Sequence, residues 1–335
     1  MPASKPMPER TSPSQPLRAL GLTIAGTELE PILEEFRREL DQAGVRKVRP
    51  HFYLSTEWGV PFDTVAIAIP FYLARPDLTA LQEERAGFVE GVGRADILRY
   101  LRHEMGHVIN YGYRLYDDPA WVERFGPITR PYEEDYRPEP FSRRFVRHLP
   151  GWYAQKHPDE DWAETFAVWM TPKRDWRREY ADWPAALAKL DYCDRTMRTL
   201  ADRDPVVTAV ELDEDVGDLT QTLDEYYGQS TAAPQFPPGL DGSLQAIFED
   251  DGSAAPRKPA AELIRRLRTE LAATVYRWTG HFPERTRPLL KHLEQRAAEL
   301  KLDYPPDREG KVVIGLTSLV TALAMNHVIR GNYFA

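Results

Sequence analysis

The chain of 335 residues is almost without cysteine. Cys193 stands alone, so no disulfide can close within the chain and a cysteine-rich structural metal site is excluded. That scarcity predicts a reducing, cytoplasmic setting. Residues 1–19 are expected to be a disordered tail, since Met1 to Pro16 is rich in Pro and Ser and holds no apolar core of the kind a signal peptide needs. Long apolar runs are missing too. The longest, Val312 to Met325, is too short to span a bilayer and is expected to be a buried C-terminal helix, so no membrane partner is predicted. Repeats, Gly-rich phosphate loops and nucleic-acid motifs do not occur, and a net charge of −9 argues against nucleic acid as a partner. Positive charge is absent from one long stretch. Asp204 to Pro256 has no Lys or Arg but twelve Asp and Glu, which leaves the rest of the chain slightly basic. Such a strip either docks on basic residues around a cleft or keeps the protein soluble, and the second is the safer reading.

Histidine is also scarce, with eight residues, yet two of them stand four positions apart in His103-Glu104-Met105-Gly106-His107. Arg94 to Tyr111 has helical periodicity, so both imidazoles project from one face and can share a metal. The glutamate between them can reach a water on that metal, which is the logic of the HExxH signature of zinc hydrolases. Ile97, Leu98, Leu101, Met105, Val108 and Ile109 fall in one stripe about 120° wide on the other side of the wheel. Such a helix packs on a core with one face and offers ligands to a cleft with the other. Gly106 in its middle predicts the close approach of another backbone.

A catalytic zinc site needs a third protein ligand and one open position. A metzincin-like continuation would place glycine and histidine three and six residues after His107, but Asn110 and Tyr113 stand there. Phe125, Gly126 and Pro127 fill the window about twenty residues on, where a thermolysin-like glutamate would lie. The next candidate is His157-Pro158-Asp159-Glu160-Asp161-Trp162-Ala163-Glu164-Thr165-Phe166-Ala167. Pro158 and the acids suit a helix opening, and Trp162, Ala163, Phe166, Ala167, Trp169 and Met170 form its apolar stripe. Glu160 and Glu164 share a flank one turn apart. Glu160, Asp161 and Glu164 all suit zinc, and Glu164, a full turn inside the helix, is the best placed.

HEMGH followed roughly fifty residues later by DEDWAETFAVWMTP resembles the bacterial zinc-binding metallopeptidases of the gluzincin type. The resemblance runs from about Pro61 to Leu200. It implies that Glu164 is the third zinc ligand after His103 and His107. Thermolysin-like enzymes carry an aspartate four residues after the ligand glutamate to orient a zinc histidine, but Val168 stands there, and Asp161 is the alternative candidate for that role. Tyr153, Tyr113 and His157 are candidates for donor to the oxyanion, with Tyr153 favoured. Arg143, Arg144 and Arg147 either bind a substrate carboxylate or form a solvated face, the commoner case.

The remaining chain supports an α+β, zincin-like catalytic domain. Thr27 and Glu30 form a capping box ahead of the stripe Leu29, Ile32, Leu33, Phe36 and Leu40, and Gly44 ends that helix. Val48 to Ser55 and Thr64 to Tyr72 read as strands of a small mixed sheet. Pro70 suggests that the second is an edge, where an extended peptide could add as a further strand. The expected boundaries are a catalytic domain over 20–203, an acidic linker region over 204–258 and a C-terminal helical module over 259–335. Within the linker region, Gln229 to Leu240 and Asp250 to Pro259 have loop composition. The expected function is zinc-dependent hydrolysis of a peptide or protein substrate, with Glu104 as general base. A zinc amidase acting on a non-peptide amide and a zinc-stabilised interaction protein without turnover are the alternatives. Oligomeric state is not legible.

Overall fold

Apolar residues recurring at helical spacing dominate the chain, and helices dominate the fold accordingly. The computed structural model describes residues 14–86, 88–132, 136, 138–139, 141–228, 236, 239–248 and 256–333. Most of the expected N-terminal tail lies outside them, but Leu17–Leu20 forms one 3-10 turn. Leu17 is fully buried, and its N–H donates to Gln221 O at 2.9 Å. Apolar burial thus recruits the end of the expected tail into the first core.

Helix α1 (Leu29–Gln42) opens with Thr27 Oγ1 accepting from Leu29 N, while Glu30 reaches back to Gly26 N. Strands β1 (His51–Ser55) and β2 (Ala66–Pro70) pair in parallel, His51 opposite Ala66. The free edge expected on β2 is not free, because Ala68 N donates to Gly59 O at 2.8 Å. The next backbone out from β2 is therefore the Trp58–Val60 segment. After α2 (Pro76–Ala86) comes α3 (Gly93–Tyr113), whose stripe from Ile97 to Ile109 lies in the core with Phe36, Leu40, Ile67 and Ile69.

Helices α4 (Pro119–Phe125), α5 (Pro158–Met170), α6 (Trp176–Glu179) and α7 (Pro184–Leu200) follow. Helices α3 and α5 cross in close contact. A Cβ on Gly106 would stand 2.6 Å from Ala163 Cα, and Trp162 Nε1 donates to Gly106 O at 2.8 Å. Only the absence of a side chain at residue 106 lets the helices touch backbone to backbone.

Residues 204–228 are not linker. Their N–H and C=O groups extend the pairing of the sheet region, with Val65 N donating to Ala209 O and Val216 N to Leu54 O, both at 2.9 Å. Val216 and Leu223 join the first core, and α8 (Leu223–Gly228) ends this unit. Three buried apolar side chains, Val207, Val216 and Leu223, and unpaired strand edges hold an acidic stretch whose charges remain at the surface. The loop-like runs 229–235 and 249–255 lie outside the described residues.

The second unit starts earlier than residue 259. Helix α9 (Leu240–Ile247) contributes Leu240 and Leu244, followed by Phe248, to a core shared with α10 (Ala260–Thr279), α11 (Pro283–Glu299) and α12 (Glu309–Arg330). Short strands β3 (Lys258–Pro259) and β4 (Asp303–Tyr304) pair antiparallel at its base. Helix α12 is buried along Val312, Leu316, Val320, Leu323 and Ala324 only. Ile314 and Ile329 on its other face are 69% and 58% exposed, so the expected buried helix is amphipathic in packing though apolar in sequence. Among the described residues it is the one helix long and apolar enough to cross a membrane. The two units interlock through a reciprocal pair of glycines. Gly151 faces the Phe282 ring and Gly280 faces the Trp152 ring, each with positive φ and no room for a Cβ.

Within the second core, His281 hydrogen-bonds Thr286 Oγ1 at 2.7 Å and Tyr333 OH at 3.0 Å. Burial, then His327 and Arg285 nearby, press its pKa down to about 3. An unfolded histidine titrates near 6.5, so the neutral imidazole stabilises the fold fully above that pH, and the contribution is lost as pH falls from about 6.5 towards 3. Between pH 6.5 and 4.5 the loss amounts to about 2–3 kcal/mol. Urea titrations at both pH values should show His281→Gln losing that much less stability than the wild type on acidification; parallel losses would remove His281 from the account.

Gly106→Ala should raise helix propensity by about 1 kcal/mol yet destabilise the chain by about 1–3 kcal/mol net, because Ala163 backbone must move. A denaturant midpoint equal to or above wild type would show that the crossing has slack.

Candidate metal centre

The crossing aims one turn of α3 at the first turn of α5. His103 and His107 are 2% and 7% exposed, and their Nε2 atoms lie 3.2 Å apart. Glu160 Oε2 sits 3.0 Å from the first and 3.3 Å from the second. These three buried side chains form a group that could hold a metal ion. Glu104 is 5% exposed and lines the same cleft, a cavity of about 520 Å³ bounded also by Trp58, Val60, Tyr132, Tyr153 and Lys156.

The third member of this group is Glu160, not Glu164 as expected from the sequence. Glu164 lies behind His103, with Oε1 3.0 Å from its Nδ1. Its carboxylate also accepts from His148 N at 2.7 Å and from Leu149 N at 2.9 Å. Both glutamates face α3, as their shared flank requires. The crossing point at Ala163 decides which one meets the imidazole edge turned towards the cleft. Glu160 stands in the first turn of α5 yet is 5% exposed, and Tyr132 OH donates to its Oε1 at 2.6 Å.

Carboxylates orient both histidines from behind, an arrangement that fixes tautomer and ring direction in metal sites. Glu164 serves His103. Asp159 Oδ2 lies 3.0 Å from His107 Nδ1, within ion-pair distance though angled away from hydrogen-bond geometry. Asn110 Nδ2 and Tyr111 OH donate to Asp159 at 2.6 and 2.5 Å and hold it there. Asp161, the candidate for this role, turns the other way and binds Lys189 Nζ at 2.5 Å. Burial raises the Asp161 pKa to about 6, although Lys189 draws it back.

The electrostatics follow from concentrating four carboxylates around two imidazoles in a dry site. Burial opposes charge on His103, but its hydrogen bonds to the Glu160 and Glu164 carboxylates outweigh it and lift the pKa to about 9. His107 is likewise lifted well above an ordinary histidine, with Asp159 and Glu160 overcoming its burial. Glu160 goes the other way: burial favours its acid form, yet the paired imidazoles hold it well below the usual carboxylate range. Burial pushes Glu104 up, only partly offset by His103 and His107.

Of the candidate oxyanion donors, Tyr153 lines the cleft with its ring 5.5 Å from that of His103. Burial keeps its phenol pKa well above the usual value, so it stays a donor. Tyr113 donates to Arg203 O away from the cleft, and His157 is engaged, capping Asp159 N and bonding Arg130 O at 2.8 Å. Tyr132, Asp159, Asn110 and Tyr111 are neighbours of the histidine–carboxylate group that sequence reasoning did not assign. Tyr111 alone left a signal, one turn past His107 on the histidine face. Arg143 and Arg144 are exposed, and among the described residues none between 204 and 256 lines the cleft.

Compared with family models, curated protein sequences and solved structures, the chain matches none. The resemblance to gluzincin-type peptidases therefore rests on the motif residues themselves.

Glu160→Gln should remove metal retention under a mild chelator, whereas Glu164→Gln should weaken affinity by about tenfold to a hundredfold, as loss of an orienting partner does. Retention in Glu160→Gln with loss in Glu164→Gln would reinstate Glu164 as the ligand.

Proposed function

We propose that this protein is a zinc-dependent hydrolase of peptide or related amide bonds, with a zincin-like catalytic domain. The observation that carries the reading is the spacing of the three buried ligand atoms around an accessible cleft. Ligands 2.0–2.2 Å from a tetrahedral zinc ion stand about 3.3–3.5 Å apart, and His103 Nε2, His107 Nε2 and Glu160 Oε2 are separated by 3.0–3.3 Å. Two imidazoles and one carboxylate, with a fourth position open to the cleft, make a catalytic and not a closed structural donor set. Glu104 points to the same conclusion, because a structural site has no use for a base beside its ligands.

When bound, zinc would polarise the scissile carbonyl and acidify a water. Glu104 accepts the proton from the attacking water and passes it to the leaving nitrogen. Tyr153 donates its phenolic proton in a hydrogen bond to the oxygen that gains charge as the carbonyl carbon becomes tetrahedral. Glu164 and Asp159 keep both imidazoles turned with Nε2 towards the cleft, and Tyr132 steadies Glu160. Trp58–Val60, which bounds the cleft, supplies the extended backbone along which a peptide would lie. This role passes to it from β2, whose outer side it covers.

Zinc at one equivalent per chain, with cleavage of a broad peptide library that chelation stops, is the expected result; zinc without cleavage of any member would transfer the reading to an interaction protein. Glu104→Gln should keep its zinc and lose turnover by about a hundredfold or more. Loss of zinc in that variant would contradict the role in proton transfer.

A further inference from the structure

A second cavity of about 500 Å³ lies between the first unit and helices α10 and α11. The partition between it and the metal cleft is the 147–153 segment: His148, Leu149 and Trp152 line the second cavity, Tyr153 the cleft. Four arginines line this cavity, Arg99 and Arg147 from the first unit and Arg277 and Arg287 from the second. Two acids face them. Asp96 is already committed, pairing with Arg99 at 2.9 Å and accepting from Gly91 N and Val92 N at 3.2 Å. The other, Glu90, is a single carboxylate against the remaining cations.

Arg147, Arg277 and Arg287 have no carboxylate partner among the described residues. Arg147 is the most committed to the site. Its guanidinium lies 4.6 Å from the Trp183 ring centre and 5.6 Å from that of Trp152, and its Nε is buried with no hydrogen-bond partner. Arginines from two separate units line one cavity, and among the described residues that line it only Asp96 and Glu90 are acidic. An unsatisfied buried N–H and three like charges both cost free energy, and an anion between them relieves both. The walls are not those of a bare phosphate site, since Trp152, Tyr276, Phe88 and Leu149 supply aromatic and apolar surface. The volume falls in the range of small organic ligands.

We propose that this cavity binds a small organic polyanion with an aromatic body, of the nucleoside diphosphate kind, clamped between the two units by Arg147, Arg277 and Arg287. The phosphates meet the guanidinium forks and the ring lies against the aromatic wall. The site is distinct from the metal cleft and binds whether or not the hydrolase reading holds. Its position has one bearing on that reading: the N–H groups of His148 and Leu149, which hold Glu164 behind His103, belong to the partition.

Calorimetric titration of the metal-free full chain, without magnesium, with adenosine diphosphate, inorganic pyrophosphate and citrate tests it. Adenosine diphosphate should bind one to one and at least about tenfold tighter than pyrophosphate, and more weakly as salt rises. Arg277→Ala and Arg287→Ala should each lower its affinity about tenfold or more, the usual loss for a charged hydrogen bond. Amide exchange in the wild-type chain should slow in 147–153 and 273–287 on binding, a readout that does not depend on any variant folding. Absence of saturable binding by all three probes, equal affinity for pyrophosphate and adenosine diphosphate, unchanged affinity in both variants, or protection confined to other segments would each overturn the proposal.

Discussion

The backbone contact between Gly106 and Ala163 is the constraint on which the rest of the site depends. A helix pair ordinarily keeps its axes 8–10 Å apart through interleaved side chains. Here a missing side chain meets a methyl, and the α5 backbone comes within reach of residues one turn either side of Gly106. His103 and His107 flank the contact on one helix, Glu160 and Glu164 on the other. Each step along α3 is thus matched by a carboxylate on α5, and Trp162 fixes the rotation of α5 by donating to the carbonyl of Gly106 itself. The candidate metal group is a consequence of this crossing, not an addition to it.

The same crossing explains why the opening of α5 is so acidic. Asp159, Glu160 and Asp161 sit in the first helical turn, where negative charge is favoured by the helix dipole. They are nevertheless buried, and burial of three carboxylates is sustained because each leaves in a different direction to its own partner: His107 with Asn110 and Tyr111, the paired imidazoles, and Lys189. Three successive positions on a helix point about 100° apart, so one short run of acid serves three neighbours.

Much of this was legible beforehand. The histidine face of α3, its apolar stripe, the need for another backbone at Gly106 and the first turn of α5 all follow from helical periodicity, which is local. The choice between Glu160 and Glu164 does not, because both occupy one flank and only the height of α5 relative to α3 distinguishes them. Tyr132 lies in an aperiodic loop, where nothing local indicates that a side chain folds over a distant helix. The acidic stretch after Leu200 misled for a related reason: its charge suggests solvent, while Val207, Val216 and Leu223, the apolar residues it buries, decide where it lies. Likewise α12 is apolar all round, and packing alone selects the stripe that is covered.

The interlocked glycines carry a further consequence. Trp152 belongs to the loop whose neighbouring N–H groups grip Glu164, and its ring occupies the hollow left by Gly280 on the second unit. That ring is therefore seated by a part of the chain more than a hundred residues away in sequence. A chain shortened to the first unit would keep its signature motif and its ligands but lose the wall against which their supporting loop is set. The second unit is in this sense a buttress for the loop behind His103.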